Sequence, residues 1–157
     1  MRPNDPIEEL THDHRQLTEL VFVVRARLAA RDEGEDGWSA LVAAIEQLLD
    51  ELVTHAAREE EGLFPFVAAN APDLEPRART LQASHDATCG TVSRLAHAVG
   101  RLSGAHDEEL TACRELFARF EELYARHAQD EAAILDELDR TLNEAQRQEL
   151  RAALAGL

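Results

Sequence analysis

The stretch His55-Ala-Ala-Arg-Glu-Glu-Glu-Gly-Leu-Phe-Pro-Phe66 continues a helical pattern and interrupts its apolar face. Upstream, Trp38, Leu41, Ile45, Leu48 and Leu52 recur at alternating steps of three and four. That is the period of one packed helix face. The next two positions of the face are His55 and Glu59, followed by Gly62 and Phe66. An imidazole and a carboxylate therefore stand where core residues belong, and burying them is costly unless they find partners.

Three more stripes share this feature. The first helix carries Ile7, Leu10, His14, Leu17, Val21, Val24 and Leu28 on its apolar face. The third carries Ala78, Leu81, His85, Thr88, Val92, Leu95, Val99 and Leu102. The fourth carries Leu110, Cys113, Phe117, Phe120, Tyr124, His127, Glu131, Ile134 and Leu138. Every stripe holds a histidine, and the second and fourth hold a glutamate one turn later.

Boundaries follow from local chemistry. Asp5 can cap the first helix, Pro6 suits its first turn, and Glu8 has capping-box spacing. That helix runs to about Ala30 and breaks at RDEGEDG. The second spans about Trp38 to Ala69, with Pro65 bending or ending its last turn. The third runs from about Pro76 to Leu102 and the fourth from about Asp107 to Arg140. Thr141 and Glu144 have the spacing of a capping box for a short C-terminal helix to about Leu154.

Short connections make successive helices antiparallel. The expected fold is all-α, an up-down-up-down four-helix bundle with a short C-terminal helix. Residues 1–140 form the bundle, and 141–157 pack on the same domain. His14 falls about 12 Å into the first helix at 1.5 Å per residue, and His85 a similar distance into the third. The pairs His55/Glu59 and His127/Glu131 lie a similar distance from the ends of the second and fourth. Antiparallel packing thus places all of these side chains in one layer near one end of the bundle.

Composition agrees. The 157 residues suffice for one domain with a core, and few of them are glycine or proline. The net charge of −15, with Arg as the sole Lys/Arg type, argues against nucleic-acid and anionic-membrane partners. Most of that charge reads as a solvated acidic surface. No apolar run is long enough to span a bilayer. Cys89 and Cys113 form no CxxC motif, and MRPNDPIEEL has no apolar signal segment, so the expected location is a reducing cytoplasm.

A bound cation resolves the cost of the polar layer. Residues at i and i+4 share a helix face, so each His and Glu pair can reach one centre. Carboxylates can bridge two cations while neutral imidazoles take outer positions, as in bundle cores that hold two metals. The donor set suits iron, manganese or zinc. His14, His55, Glu59, His85, His127 and Glu131 are too many ligands for one tetrahedral zinc.

The pieces THDHRQL with His14, HAAREEEGLFP with His55 and Glu59, SHDATC with His85, and RHAQDE with His127 and Glu131 resemble the hemerythrin-like, or HHE cation-binding, domain family. The resemblance covers the four long helices. It implies two non-haem iron ions bridged by carboxylates and an oxo or hydroxo group, with zinc or manganese as substitutes. Members of the family carry oxygen, sense oxygen or iron, or act on peroxide or nitric oxide. Two departures separate this chain from the oxygen carriers. Cys89 stands where they have a second histidine, and Glu131 follows His127 by four residues where they have Asp after five. The smaller number of nitrogen ligands weighs against simple reversible oxygen carriage and toward redox turnover or iron handling.

Other residues read more plainly. His12 is two positions from His14 and faces solvent, Glu60 and Glu61 read as a solvated run with one available to support a ligand, and His97 and His106 fall away from the layer. Cys89 is a ligand, a redox thiol or, most commonly for a buried Cys, a small core residue. Cys113 reads as core. Tyr124 packs beside the layer and needs a partner for its hydroxyl; bonding a ligand, coordinating iron and donating an electron are the sharper alternatives. Phe64, Phe66, Phe117 and Phe120 pack, some of them shielding the layer. The resulting expectation is a di-iron protein that binds or reacts with O2, peroxide or nitric oxide, peroxide disproportionation being one possible activity. The alternatives are an iron storage or sensing module, an O2 carrier without turnover, or a metal-free bundle used for protein association. The last predicts full stability after chelation. Oligomeric state is not encoded in these motifs.

Overall fold

The computed structural model describes residues 5–30, 35–102 and 107–157. Of the breaks expected at residues 31–37 and 103–107, residues 31–34 and 103–106, His106 among them, lie outside the described residues, while residues 35–37 are already helical, ahead of the expected start at Trp38. The described residues are helical, with no strand among them. Helix α1 is Pro6–Ala29 and α2 is Glu35–Arg58. A π-helical turn, Glu59–Leu63, joins α2 to α3, Phe64–Asn70. A 3-10 turn, Pro72–Leu74, leads into α4, Glu75–Gly100. Helix α5 is Asp107–Thr141 and α6 is Glu144–Ala155. None of the described helices is long and apolar enough to cross a membrane.

The long helices close into a ring. Helix α1 packs on α2, α2 on α4, α4 on α5, and α5 on α1. This is the expected antiparallel four-helix bundle. Helix α6 packs across the π turn, α3 and α1.

The polar layer divides the core in two. On one side lie Leu17, Val21, Val24 and Leu28 of α1 with Leu41 to Leu52 of α2, Val92 to Val99 of α4, and Cys113 to Tyr124 of α5. On the other lie Ile7 and Leu10, Leu63 to Val67, Ala78 and Leu81, Ile134 to Leu138, and Leu150 and Leu154 of α6. Each stripe crosses from one cluster to the other at its histidine. Burying a side chain such as Leu10 or Ile134 contributes about 2–3 kcal/mol. The two clusters therefore hold the helices together on both sides of the layer.

The π turn has a local cause. Pro65 has no N–H to continue the α-helical ladder, and its ring would crowd the carbonyl four residues earlier. The preceding residue, Phe64, instead bonds back to the Glu59 carbonyl, five residues away. The expected disturbance at Pro65 thus takes the form of a widened turn that leaves Glu59, Gly62 and Phe66 buried.

The start of α1 meets α6. Asp5 caps α1, accepting from the Ile7 N–H at 3.0 Å. Its other oxygen accepts from Arg147 Nη1 of α6 at 2.7 Å. Arg147 Nη2 donates to the Asp139 carbonyl and to its carboxylate, each at 2.7 Å. The cap of α6 corrects the expectation from Thr141 and Glu144. Asn143 and Gln146 form the reciprocal capping box, because Thr141 is still the last residue of α5 and donates its hydroxyl to the Glu137 carbonyl.

Gly62 allows α6 to approach the π turn closely. A Cβ there would lie 2.9 Å from Leu154 Cδ2 and 3.4 Å from the Ala153 carbonyl oxygen. Alanine can be absorbed by a small shift of the Leu154 methyl and gains helix propensity. A branched side chain cannot. Gly62→Val is expected to lower stability by about 1–3 kcal/mol through overpacking, and Gly62→Ala by far less. Urea unfolding of the two variants checks this.

Candidate metal centre

The layer gathers side chains from α1, α2, the π turn, α4 and α5. His55, Glu59, His127 and Glu131 each bring one donor atom into a group whose members all lie within 4.8 Å of one another. All four are buried. Glu59 Oε2 lies 2.7 Å from His85 Nε2, and Glu131 Oε2 lies 2.8 Å from His14 Nδ1. The layer expected from the sequence is thus assembled, with one difference of degree. The His14 side chain is 18% exposed, whereas those of His55, His85 and His127 are at most 5% exposed.

The two carboxylates have matching surroundings. Glu131 faces His14, His55 and His127, the last two at 3.4 and 3.5 Å. Glu59 faces His85, His55 at 3.6 Å and His127 at 3.9 Å. They share His55 and His127 and differ in the third imidazole. Separations of 3.4–3.9 Å are too long for good hydrogen bonds. His14 Nδ1 is close to Glu131 yet lacks hydrogen-bond alignment. Six of the seven buried side-chain N and O atoms found without a hydrogen-bond partner among the described residues belong to His14, His55, Glu59 and Glu131. Apart from the Glu59–His85 bond, nitrogen and oxygen donors converge here without satisfying one another, as cation ligands do.

Outer contacts orient three of the imidazoles. Ser84 donates its one hydroxyl hydrogen to the Leu81 carbonyl at 2.7 Å. It can then only accept from His127 Nδ1, at 2.6 Å, so that Nδ1 carries the proton and Nε2 faces the carboxylates. His85 Nδ1 lies 2.8 Å from Glu60 Oε1. Tyr124 Oη lies 3.3 Å from His14 Nε2 and 3.0 Å from Thr18 Oγ1, with its ring stacked on that of His14. Phe64 stacks on His85.

Electrostatics follow from burial and this pairing. Burial, the largest influence, would raise the Glu131 pKa, but the imidazoles of His127, His14 and His55 crowding its carboxylate hold it well below the usual carboxylate range. For His55, burial favours the neutral ring, yet the nearby carboxylates of Glu131 and Glu59 together raise its pKa. His85 is raised in the same way, against burial, by Glu59 and Glu60. Burial pushes Tyr124 up to about 12.

His12 is exposed, as expected, and so is His97, for which the expectation is only that it falls away from the layer. Cys113 is core, and the half-buried Cys89 packs against the larger apolar cluster and lines a surface groove with Thr54 and Asp86. Burial raises both thiols. In the sequence Glu60 looks like part of a solvated run, and nothing there marks Ser84 or Arg147. The S/T-rich spacing of α4 gives no sign of a contact made across to α5, and the Glu60 contact depends on how two helices are rotated against each other.

A four-helix bundle whose core is interrupted by a buried His/Glu layer defines a cation-binding helical protein. The model of the hemerythrin HHE cation-binding domain matches residues 5–138, and the chain belongs to that family. No curated protein and no solved structure matches the chain significantly.

Proposed function

We propose that this chain is a hemerythrin-like non-haem di-iron protein that binds or reacts with O2, peroxide or nitric oxide. His14, His55, His85 and His127 would hold the ions through imidazole nitrogens, and Glu59 and Glu131 through their carboxylates. The observation that carries this reading is the set of orphaned donors on His14, His55, Glu59 and Glu131. Leaving such atoms buried and unpaired costs about 1–3 kcal/mol each, a cost that a bound cation removes. The paired surroundings of the two carboxylates support two ions better than one, since each carboxylate has its own third imidazole.

Bound iron supplies one-electron redox chemistry and open coordination positions for a small oxidant. The chain holds the Glu131 carboxylate ionised and turns each oriented imidazole toward the centre. Phe64 and the apolar clusters on either side exclude water. Zinc or manganese fits the same donors without necessarily supporting the same chemistry. The two free cysteines support a reducing cytoplasm as the location. Residues 141–157 belong with the bundle as one domain, a reading supported by the Arg147 bond to Asp5.

The test is anaerobic loading with ferrous iron, followed by separate exposure to O2, hydrogen peroxide and nitric oxide. The expected result is a change in near-ultraviolet and visible absorption with at least one of them. Catalytic loss of peroxide above the iron-free rate identifies turnover. A spectrum that forms with O2 and reverses under argon identifies carriage or sensing. An iron-loaded protein inert to all three contradicts the proposal.

A further inference from the structure

Glu60 is one of three consecutive acidic residues, and its side chain is 37% exposed, which alone would make it ordinary surface. Its contact is not ordinary. Glu60 Oε1 lies 2.8 Å from Nδ1 of His85, while Oε2 of the adjacent Glu59 lies 2.7 Å from Nε2 of the same ring. Two consecutive residues thus grip one imidazole of α4 by its two nitrogens. The backbone makes this possible. Both glutamates are in the π turn, where the wider coil rotates successive residues through a smaller angle than an α-helix does. Their side chains can therefore reach toward the same neighbouring helix.

We infer that Glu60 is a positioning residue for the proposed metal centre, fixing the proton of His85 on Nδ1 and leaving Nε2, on the Glu59 side, as the atom that would bind an ion. An ionised carboxylate can only accept, so the ring nitrogen facing it must donate. Nε2 faces the second carboxylate, Glu59 Oε2, at 2.7 Å, and is the nitrogen that would give up its proton and offer its lone pair to an ion. A carboxylate in this role also makes the imidazole a stronger donor, and removing such a partner typically weakens metal binding about 10–100-fold. His127 has a neutral hydroxyl, Ser84, in the corresponding place, and His14 has Tyr124. Among these three rings, only His85 is backed by a carboxylate, which makes the two ends of the layer electronically unequal.

This inference rests on the proposed metal centre, and the experiment separates the two. Cobalt(II) is titrated into metal-free protein and followed by visible absorption. Proton NMR of the cobalt-loaded form then reads the shifted, exchangeable imidazole N–H signals. The wild type comes first: a chain that takes up no cobalt overturns the metal-centre reading and this inference with it. If cobalt binds, Glu60→Ala is expected to bind about 10–100-fold more weakly and to lose one N–H signal to rapid solvent exchange. Glu60→Gln, whose amide oxygen still accepts, is expected to keep the signal and regain part of the affinity. Glu61→Ala, an exposed neighbour, is expected to match the wild type. Wild-type affinity with every N–H signal retained in Glu60→Ala overturns the inference alone. So does equal weakening in Glu60→Ala and Glu60→Gln with the signals retained in both, which would reduce Glu60 to a distant charge. Metal-free melting curves of the variants confirm that each is folded.

Discussion

Glu131→Ala is expected to lose the stabilisation that the proposed metal centre would confer on the native chain. An ion present at a hundredfold its dissociation constant stabilises the folded state by about 2.7 kcal/mol. For a domain of this size that corresponds to roughly 5–10 °C in melting temperature. Glu131 is the carboxylate facing His14, His55 and His127, and its ionised form is strongly favoured there. Without it, His14 loses its carboxylate, and His55 and His127 keep only Glu59, at 3.6 and 3.9 Å. Iron bound per chain is expected to fall well below that of the native chain, and a chelator is expected to leave the variant's melting temperature unchanged. Scanning calorimetry with and without chelator, on native chain and variant, checks both statements. A variant as sensitive to chelation as the native chain contradicts the placement of Glu131 in the centre.

Arg147→Ala is expected to be the most destabilising single change outside the layer. The Arg147 and Asp5 side chains are only 4% and 5% exposed, so truncating the arginine leaves a buried carboxylate without its cation. Breaking a buried pair in this way costs about 3–5 kcal/mol. It also frees the Asp139 carbonyl and detaches α6 from the start of α1 and the end of α5. The expected fall in melting temperature is about 6–20 °C. Asp5→Asn combined with Arg147→Met removes both charges together and is expected to cost much less than the sum of the single changes, since the stranded carboxylate is gone. A double-mutant cycle by urea unfolding measures this. Additive single effects would mean that the two side chains are not coupled.

The stripes written in the sequence were sufficient for the bundle. Ile7 to Leu28, Leu41 to Phe66, Ala78 to Val99 and Cys113 to Leu138 lie on faces that the structure buries, interrupted by a partly exposed His14. The layer was legible for the same reason. A histidine on an apolar face is a local anomaly, and antiparallel packing brings four such anomalies to one height. What escaped depends on rotation between helices and on backbone detail. Pro65 signalled a disturbance, but its form as a π turn is set by where the missing hydrogen bond can be replaced. Glu60 and Ser84 look like surface residues until α4 is seen to bring His85 to one and to sit beside His127 with the other. Arg147 carries no local signal at all, because its partner Asp5 lies at the other end of the chain. The cap of α6 was misplaced from Asn143 to Thr141 because both have an acceptor three residues before a Glu or Gln, and only the length of α5 decides between them.

The central claim is that the polar layer exists to hold two ions. Elemental mass spectrometry on freshly purified protein, with the protein quantified by amino-acid analysis, tests it most directly, supported by anaerobic reconstitution with ferrous iron for any preparation that has lost metal. The account predicts about two iron ions per chain, falling sharply in His55→Ala. A preparation with no bound metal that also takes up none on reconstitution would contradict it, and would leave a helical bundle whose buried histidines and glutamates have some other cause.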